Sequence, residues 1–362
     1  MCSAEEKVFD QNPNKEYLFI IHNVVDGQGG LEHKNSTTLS VNRWTYAGSS
    51  YVKFLSLVAH EYFHLWNVKR IRPFELGPFD YNQENYTDLL WVMEGFTSYY
   101  DELLLLRAGY YTQSEFLSKM ESSINYVEGS VGARVQPVAH ASYDAWIKAY
   151  RPNENSANTT MTYYTRGSII ASFLDVKIIR NTNGEKCLDH FLQHIYDKFY
   201  EKAGRGFTSE EFKRELESFT GENLDNFYAD YIDGTAIPSY AELFDGMGVQ
   251  VTDVTSTKPD FGASLRSSGG KAIVSRIRSN SAAEDAGLSV NDEIIGCNGY
   301  RVSKSDIEGL MKSLNEGDEL ELLIARVEIL FSVSFTMTNY TRPRYLFNLT
   351  NEENKLRAYW LR

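Results

Sequence analysis

Cysteine is nearly absent from this sequence. Its 362 residues hold three, Cys2, Cys187 and Cys297, an odd and scattered set that indicates neither a disulfide framework nor a metal site built on thiolates. Positive charge is scarce too: 36 Lys and Arg stand against 49 Asp and Glu, a net charge of -13. Nucleic acid and anionic membrane surfaces are therefore not expected partners. The one tight basic cluster, Lys69-Arg70-Ile71-Arg72, is too short for a nucleic-acid stripe; its expected role is local, cations at a helix C-terminus before the exit at Pro73. No run of about 18 apolar residues occurs, and the opening MCSAEEKVFDQNPNKEY lacks the apolar centre of a secretory signal. The expected location is cytoplasmic, off the membrane, with the sequons at Asn85 and Asn158 incidental. Histidine is rare as well, 7 in the chain, so the spacing of two of them is informative.

What is present is ample apolar material, 42% hydrophobic and 14% aromatic, enough for two or three cored domains. The stretch Tyr51 to Arg70, YVKFLSLVAHEYFHLWNVKR, contains His60-Glu61-Tyr62-Phe63-His64, an HExxH pattern. Residues four apart lie one above the other on a helix, so His60 and His64 can direct two imidazoles at one zinc while Glu61 reaches a water on the metal. Val52, Leu55, Val58, Ala59, Tyr62 and Phe63 make this helix apolar enough to be buried.

Two protein ligands under-coordinate zinc, and catalytic sites add a third while leaving one position for water. The metzincin solution would need Gly at 67 and His at 70; Asn67 and Arg70 exclude it. Glu75, Asp80, Glu84, Asp88 and Glu94 compete. The first three fall in a Pro/Gly/Asn-rich connection, whereas Glu94 sits inside an apolar helix that Thr87 can cap and that ends near Gly109. A carboxylate there either faces solvent or needs a partner such as zinc to justify its burial.

Upstream, Tyr17 to Asn23 and Ser36 to Val41 are expected strands, separated by the turn-forming Asp26-Gly27-Gln28-Gly29-Gly30. Gly29-Gly30-Leu31-Glu32 reads either as a glycine turn with an exposed Glu or as an edge strand able to pair with a peptide backbone. Beyond Ser114 the chain is mostly helical, with periodic segments at 115–127, 168–179, 188–200 and 210–219. His140, His190 and His194 have no ligand spacing and are expected at the surface or in packing.

Leu90 to Tyr99, LWVMEGFTSY, resembles the segment that follows HExxH in gluzincin aminopeptidases, where its glutamate is the third zinc ligand. HEYFHLWNVKRIRP, the following LGPFDYNQENYT and the upstream GGLEH are together similar to the glycyl aminopeptidase family, zinc peptidases carrying a PDZ domain. The resemblance runs from Glu16 to about Pro238. It implies a thermolysin-like α+β unit with one zinc per chain on His60, His64 and Glu94. It places Gly29, Gly30 and Glu32 where aminopeptidase N relatives carry Gly-x-Met-Glu-Asn, whose Glu receives the substrate amine. Tyr163-Tyr164-Thr165-Arg166-Gly167 matches the Tyr-x-Lys/Arg-Gly motif of the same clan, giving Tyr164 the oxyanion, with Tyr163 as its rival. That family usually carries a large β-rich domain ahead of the catalytic unit, whereas only about sixteen residues precede Tyr17, so the chain is expected to be a fragment or a shortened member.

Past Pro238 the pattern turns β-rich. Ser281 to Ile295 with Asn298-Gly299 resembles the PDZ segment SPAxxAGLxxGDxIxxxNG, with Ala282 for Pro and Asn291 for Gly. Phe261 to Ser264 would form the carboxylate-binding loop and Asp306 to Leu314 the helix beside the groove, either a place for a peptide C-terminus or part of a PDZ fold that serves only as an internal brace. The expected domains are a catalytic unit over 1–240, a PDZ domain over 250–335 and an extension over 336–362. A chain ended near Val249 is expected to keep its metal site. The function expected is a zinc aminopeptidase acting on peptides, with Glu61 as base; the rivals are an endopeptidase of the same clan and a non-catalytic PDZ scaffold.

Overall fold

The computed structural model describes residues 1–362. Helix α1 (Cys2–Phe9) leads into β1 (Leu18–Val24), β2 (Gln28–Glu32) and β3 (Ser36–Asn42). These form a sheet in the order β1-β3-β2, so β2 is an edge strand, antiparallel to β3 with Gly30 opposite Leu39. On β3 alternate residues Thr37, Leu39 and Val41 point inward. They meet Phe54 and Leu55 of α2 (Gly48–Phe63), which lays the HExxH helix across the sheet.

The helical half follows: α3 (Leu90–Arg107), α4 (Gln113–Glu128), α5 (Tyr163–Asn181), α6 (Leu188–Ile195) and α7 (Ser209–Thr220). Helices α3 and α5 cross at Gly95 and Gly167, where a Cβ on Gly95 would lie 2.4 Å from the Gly167 Cα and one on Gly167 would lie 2.4 Å from the Trp91 carbonyl. Any side chain at either position would part the helices, which carry Glu94 and Tyr164 close to the crossing.

Next come β4 (Val249–Asp253), β5 (Ser256–Pro259), β6 (Ala263–Ser268), β7 (Lys271–Ile277), β8 (Glu293–Cys297), β9 (Tyr300–Arg301), helix α8 (Lys304–Met311), β10 (Glu319–Arg326), β11 (Ile329–Thr336), β12 (Asn339–Arg342), β13 (Tyr345–Leu349) and α9 (Lys355–Trp360). The sheet β11-β10-β8-β7-β6, with β9 beside β8, encloses a separate core of Phe261, Val274, Ile294, Ile307, Leu322 and Ile324. Two short ribbons join it to the rest of the chain: β5 pairs with β12, and β4 pairs with β13, with Asp253 opposite Tyr345. Asn158 adds a third link. Its carboxamide donates to the Ile277 carbonyl (2.8 Å) and accepts from the Ser279 amide (3.0 Å), which leaves this sequon buried.

The segment expected as an extension packs instead into the main hydrophobic core. Phe347, Trp360 and Leu361 are buried in the same cluster as α3 and α5. Asn125 and Glu121, one turn apart on α4, hold β13 by its backbone: Asn125 pairs with the Tyr345 amide (2.8 Å) and carbonyl (2.9 Å), and Glu121 accepts from the Phe347 amide (2.9 Å). Trp360 Nε1 donates to the Tyr99 hydroxyl at 2.8 Å. This packing argues against the expectation that a chain ended near Val249 keeps its site. No helix of the structure is long and apolar enough to cross a membrane.

Candidate active site

The last turn of α2 sets His60 and His64 side by side, ring centroids 4.7 Å apart and nearly perpendicular. His60 Nδ1 lies 3.0 Å from Asp101 Oδ2, and His64 Nδ1 lies 2.7 Å from the Asn67 carbonyl. Each acceptor can receive a hydrogen bond from Nδ1–H, which makes Nε2 the nitrogen able to offer a lone pair to a metal. Both Nε2 atoms converge on one oxygen, Glu94 Oε2, at 3.2 and 3.3 Å. Burial opposes charge on both imidazoles, but Asp101 and Glu94 beside His60, and Glu94 beside His64, outweigh it and push both up. Burial likewise opposes charge on Glu94, yet the two histidines hold its carboxyl well below the usual range. The three ligand atoms lie within 4.8 Å of one another. Two imidazole nitrogens and a carboxylate oxygen, with the histidines backed by second acceptors, fit a divalent cation of zinc's preference.

Of the competing carboxylates only Glu94 joins the histidines. Asp80 is exposed and accepts from the Asn82 amide, Asp88 accepts from Ser209, and Glu75 and Glu84 are exposed. Glu94 is brought in by Asn67, whose side-chain NH2 donates to the Val92 and Met93 carbonyls and to Thr97 Oγ1 at 3.0–3.1 Å, pinning the turn after α2 to the first turns of α3. Thr87 does not cap this helix; its hydroxyl accepts from the Leu89 amide just before it.

Glu61 is buried against β2. A Cβ on Gly30 would lie 2.3 Å from Glu61 Cδ, so only glycine allows the strand this close. Gly29 has open space at the same position, so no neighbouring atom crowds it. Burial pushes the Glu61 carboxyl up despite the nearby His64 and His60, and its Oε2 has no hydrogen-bond partner. Glu32, at the end of the same strand, extends to Lys69, with Oε1 2.8 Å from Nζ. Burial alone would raise Glu32, but His64 and Lys69 outweigh it and lower it. Tyr164, in the first turn of α5, faces His60 with ring centroids 6.1 Å apart, while Tyr163 is buried in the core. Burial and then Glu94 push the Tyr164 phenol up, so it keeps its proton.

With this geometry in hand, comparison with known proteins is direct. Residues 53–170 match the family described as M61 glycyl aminopeptidase, and residues 246–333 match the PDZ domain. The chain thus combines a stretch similar to the glycyl aminopeptidase family with one similar to PDZ domains. The glycyl aminopeptidase match contains His60, Glu61, His64, Glu94 and Tyr164, whereas Glu32 lies ahead of it. The whole chain superposes on a crystal structure of an aminopeptidase N family protein from Idiomarina loihiensis, at 27% identity and a TM-score of 0.87. It spans 65% of that protein's length. Its PDZ part is similar to the PDZ domain of a carboxy-terminal protease from Vibrio cholerae solved with a peptide (18% identity, TM-score 0.21, 24% of this chain and 98% of that one). It is also similar to the HtrA3 PDZ domain bound to a phage-derived ligand (17% identity, TM-score 0.21, 24% and 91%). No curated protein matches the chain.

Three residues that touch this cluster, Asp101, Asn67 and Lys69, were not singled out for the site by the sequence. Asp101 lies two helical turns after Glu94, so the spacing of α3 already puts it on the same face. Asn67 stands three residues after His64, within one turn of it. Lys69 was expected only to serve a helix end, a task that falls to Arg70, which donates to the Leu65 carbonyl at 2.7 Å.

Proposed function

We propose that the protein is a zinc-dependent aminopeptidase that removes N-terminal residues, with Gly and Ala preferred, from peptides. The observation that carries this reading is the convergence of His60 Nε2, His64 Nε2 and Glu94 Oε2 beside a buried, unpartnered Glu61 carboxylate oxygen. Zinc held there would activate water and polarise the scissile carbonyl. Glu61 takes the proton from the attacking water and returns it to the leaving amine, a task suited to a carboxyl that burial has pushed up. The Tyr164 hydroxyl donates to the oxygen on which negative charge develops. The free edge of β2 pairs with the substrate backbone, and Glu32 at its end receives the α-ammonium. In the PDZ domain, the loop before β6 and helix α8 flank a second free edge that suits a peptide C-terminus.

Purified protein should hold about one zinc per chain, and Glu94→Ala should lose it. Retention of zinc at wild-type affinity in that variant, with loss in Asp80→Ala or Glu84→Ala, would reject the ligand set. The aminopeptidase assignment is tested with Gly-, Ala- and Leu-initiated peptides in free and N-acetylated forms. Single residues should leave the free forms only, and Glu32→Ala should lower kcat/KM about ten- to a few hundred-fold, the worth of one charged hydrogen bond in a partly desolvated site. Equal cleavage of both forms would favour an endopeptidase.

A further inference from the structure

Where the substrate's ammonium is proposed to bind, the chain already holds one of its own. Lys69 Nζ lies 2.8 Å from Glu32 Oε1, with the two side chains only 17% and 19% exposed. Chemically this primary ammonium is what a peptide N-terminus offers: one positive charge and three N–H donors. It is tethered close to the metal helix, because the Lys69 amide donates to the His64 carbonyl at 3.1 Å. Its only ion-pair partner is Glu32. The partly exposed Phe79 ring stands 5.8 Å from Nζ, a face on which a displaced cation can rest.

We propose that Lys69 is an internal occupant of the ammonium subsite, which a peptide N-terminus must displace before it is held. The inference rests on the reading of Glu32 as the amine acceptor. Two ammonium groups sharing one largely buried carboxylate repel each other, so the lysine leaves as the substrate enters. Its flexible four-carbon stem permits this movement, and its charge keeps Glu32 compensated between substrates. The consequence is selectivity. A free amine replaces Lys69 with an equivalent partner for Glu32, whereas an acetylated end has no cation to offer and leaves the Lys69–Glu32 pair closed across the subsite.

Lys69→Met removes the competitor while keeping most of the stem. It should tighten alaninamide, read by titration calorimetry, about five- to fifty-fold and lower KM for Gly- and Ala-initiated peptides by a similar factor. N-acetylalaninamide should bind neither protein. A structure of the wild-type protein with alaninamide provides the check that does not depend on the variant folding: the ligand's ammonium should sit on Glu32, with Lys69 turned toward Phe79. Weaker or unchanged alaninamide binding in Lys69→Met, or Lys69 still on Oε1 in the complex, overturns the proposal while leaving the Glu32 reading intact. Indifference of the wild-type protein to acetylation removes the Glu32 reading and this inference with it.

Discussion

Glu61→Gln should bind zinc as the wild-type protein does and lose peptide hydrolysis by about 10²- to 10⁴-fold, the span usual for a positioned general base. The substitution is close to isosteric, so the strand at Gly30 can keep its place over the side chain. What is lost is the ability to accept the water's proton, since an amide oxygen is too weak a base. The measurement is kcat on a Gly-initiated peptide, with metal content determined on the same preparation. Turnover within tenfold of wild type would remove Glu61 as the base, and loss of zinc would show that the variant had changed the site itself.

The second large effect concerns the end of the chain. Removing residues 343–362 takes away Phe347, Trp360 and Leu361, all buried in the core around α3 and α5. At about 1.5–3 kcal/mol for each large apolar side chain, the loss is roughly 5–9 kcal/mol, comparable with the whole stability of many domains. The truncated protein should therefore fail to fold or melt far below the wild type by calorimetry. Excising the PDZ domain should behave differently. Asp253 and Tyr345 face each other in an antiparallel pair, so an Asn-Gly turn joining them closes β4 and β13 into a hairpin. That deletion should retain the fold and the zinc. Loss of zinc from the hairpin variant, or a cooperative melt near wild type in the truncation, would contradict this division of the chain.

The legibility of this protein followed the range of each interaction. His60, Glu61 and His64 could be read because a helix alone sets their spacing, and Glu94 stood out as a carboxylate within an apolar helix. Asp101 was within reach by the same periodicity. Lys69 was not, because its pairing with Glu32 depends on how a distant edge strand docks. The reading of Gly29-Gly30-Leu31-Glu32 stayed divided between turn and strand until β3 supplied the pairing. Helix α1 escaped notice because eight residues have little helical stability of their own; Phe9 stacked on Trp66, ring centroids 4.7 Å apart, fixes it in the core. The return of the C-terminus was invisible for a similar reason: the aromatic residues of β13 and α9 carry no local sign of the helices they pack on.

The bond from Trp360 to Tyr99 closes a loop of 261 residues, and during synthesis that separation becomes a matter of order. The PDZ domain has its own core and can form as soon as its strands have left the ribosome. The helix carrying Glu94 is made long before, yet it lacks the indole that packs beside Tyr99 until residue 360 has emerged. At about 5–20 residues per second, the nascent chain spends many seconds with that helix incompletely covered. The half of the molecule that carries His60, His64 and Glu94, translated ahead of the PDZ domain, is thus finished after it: its core closes only once residue 360 has followed the PDZ strands out of the ribosome.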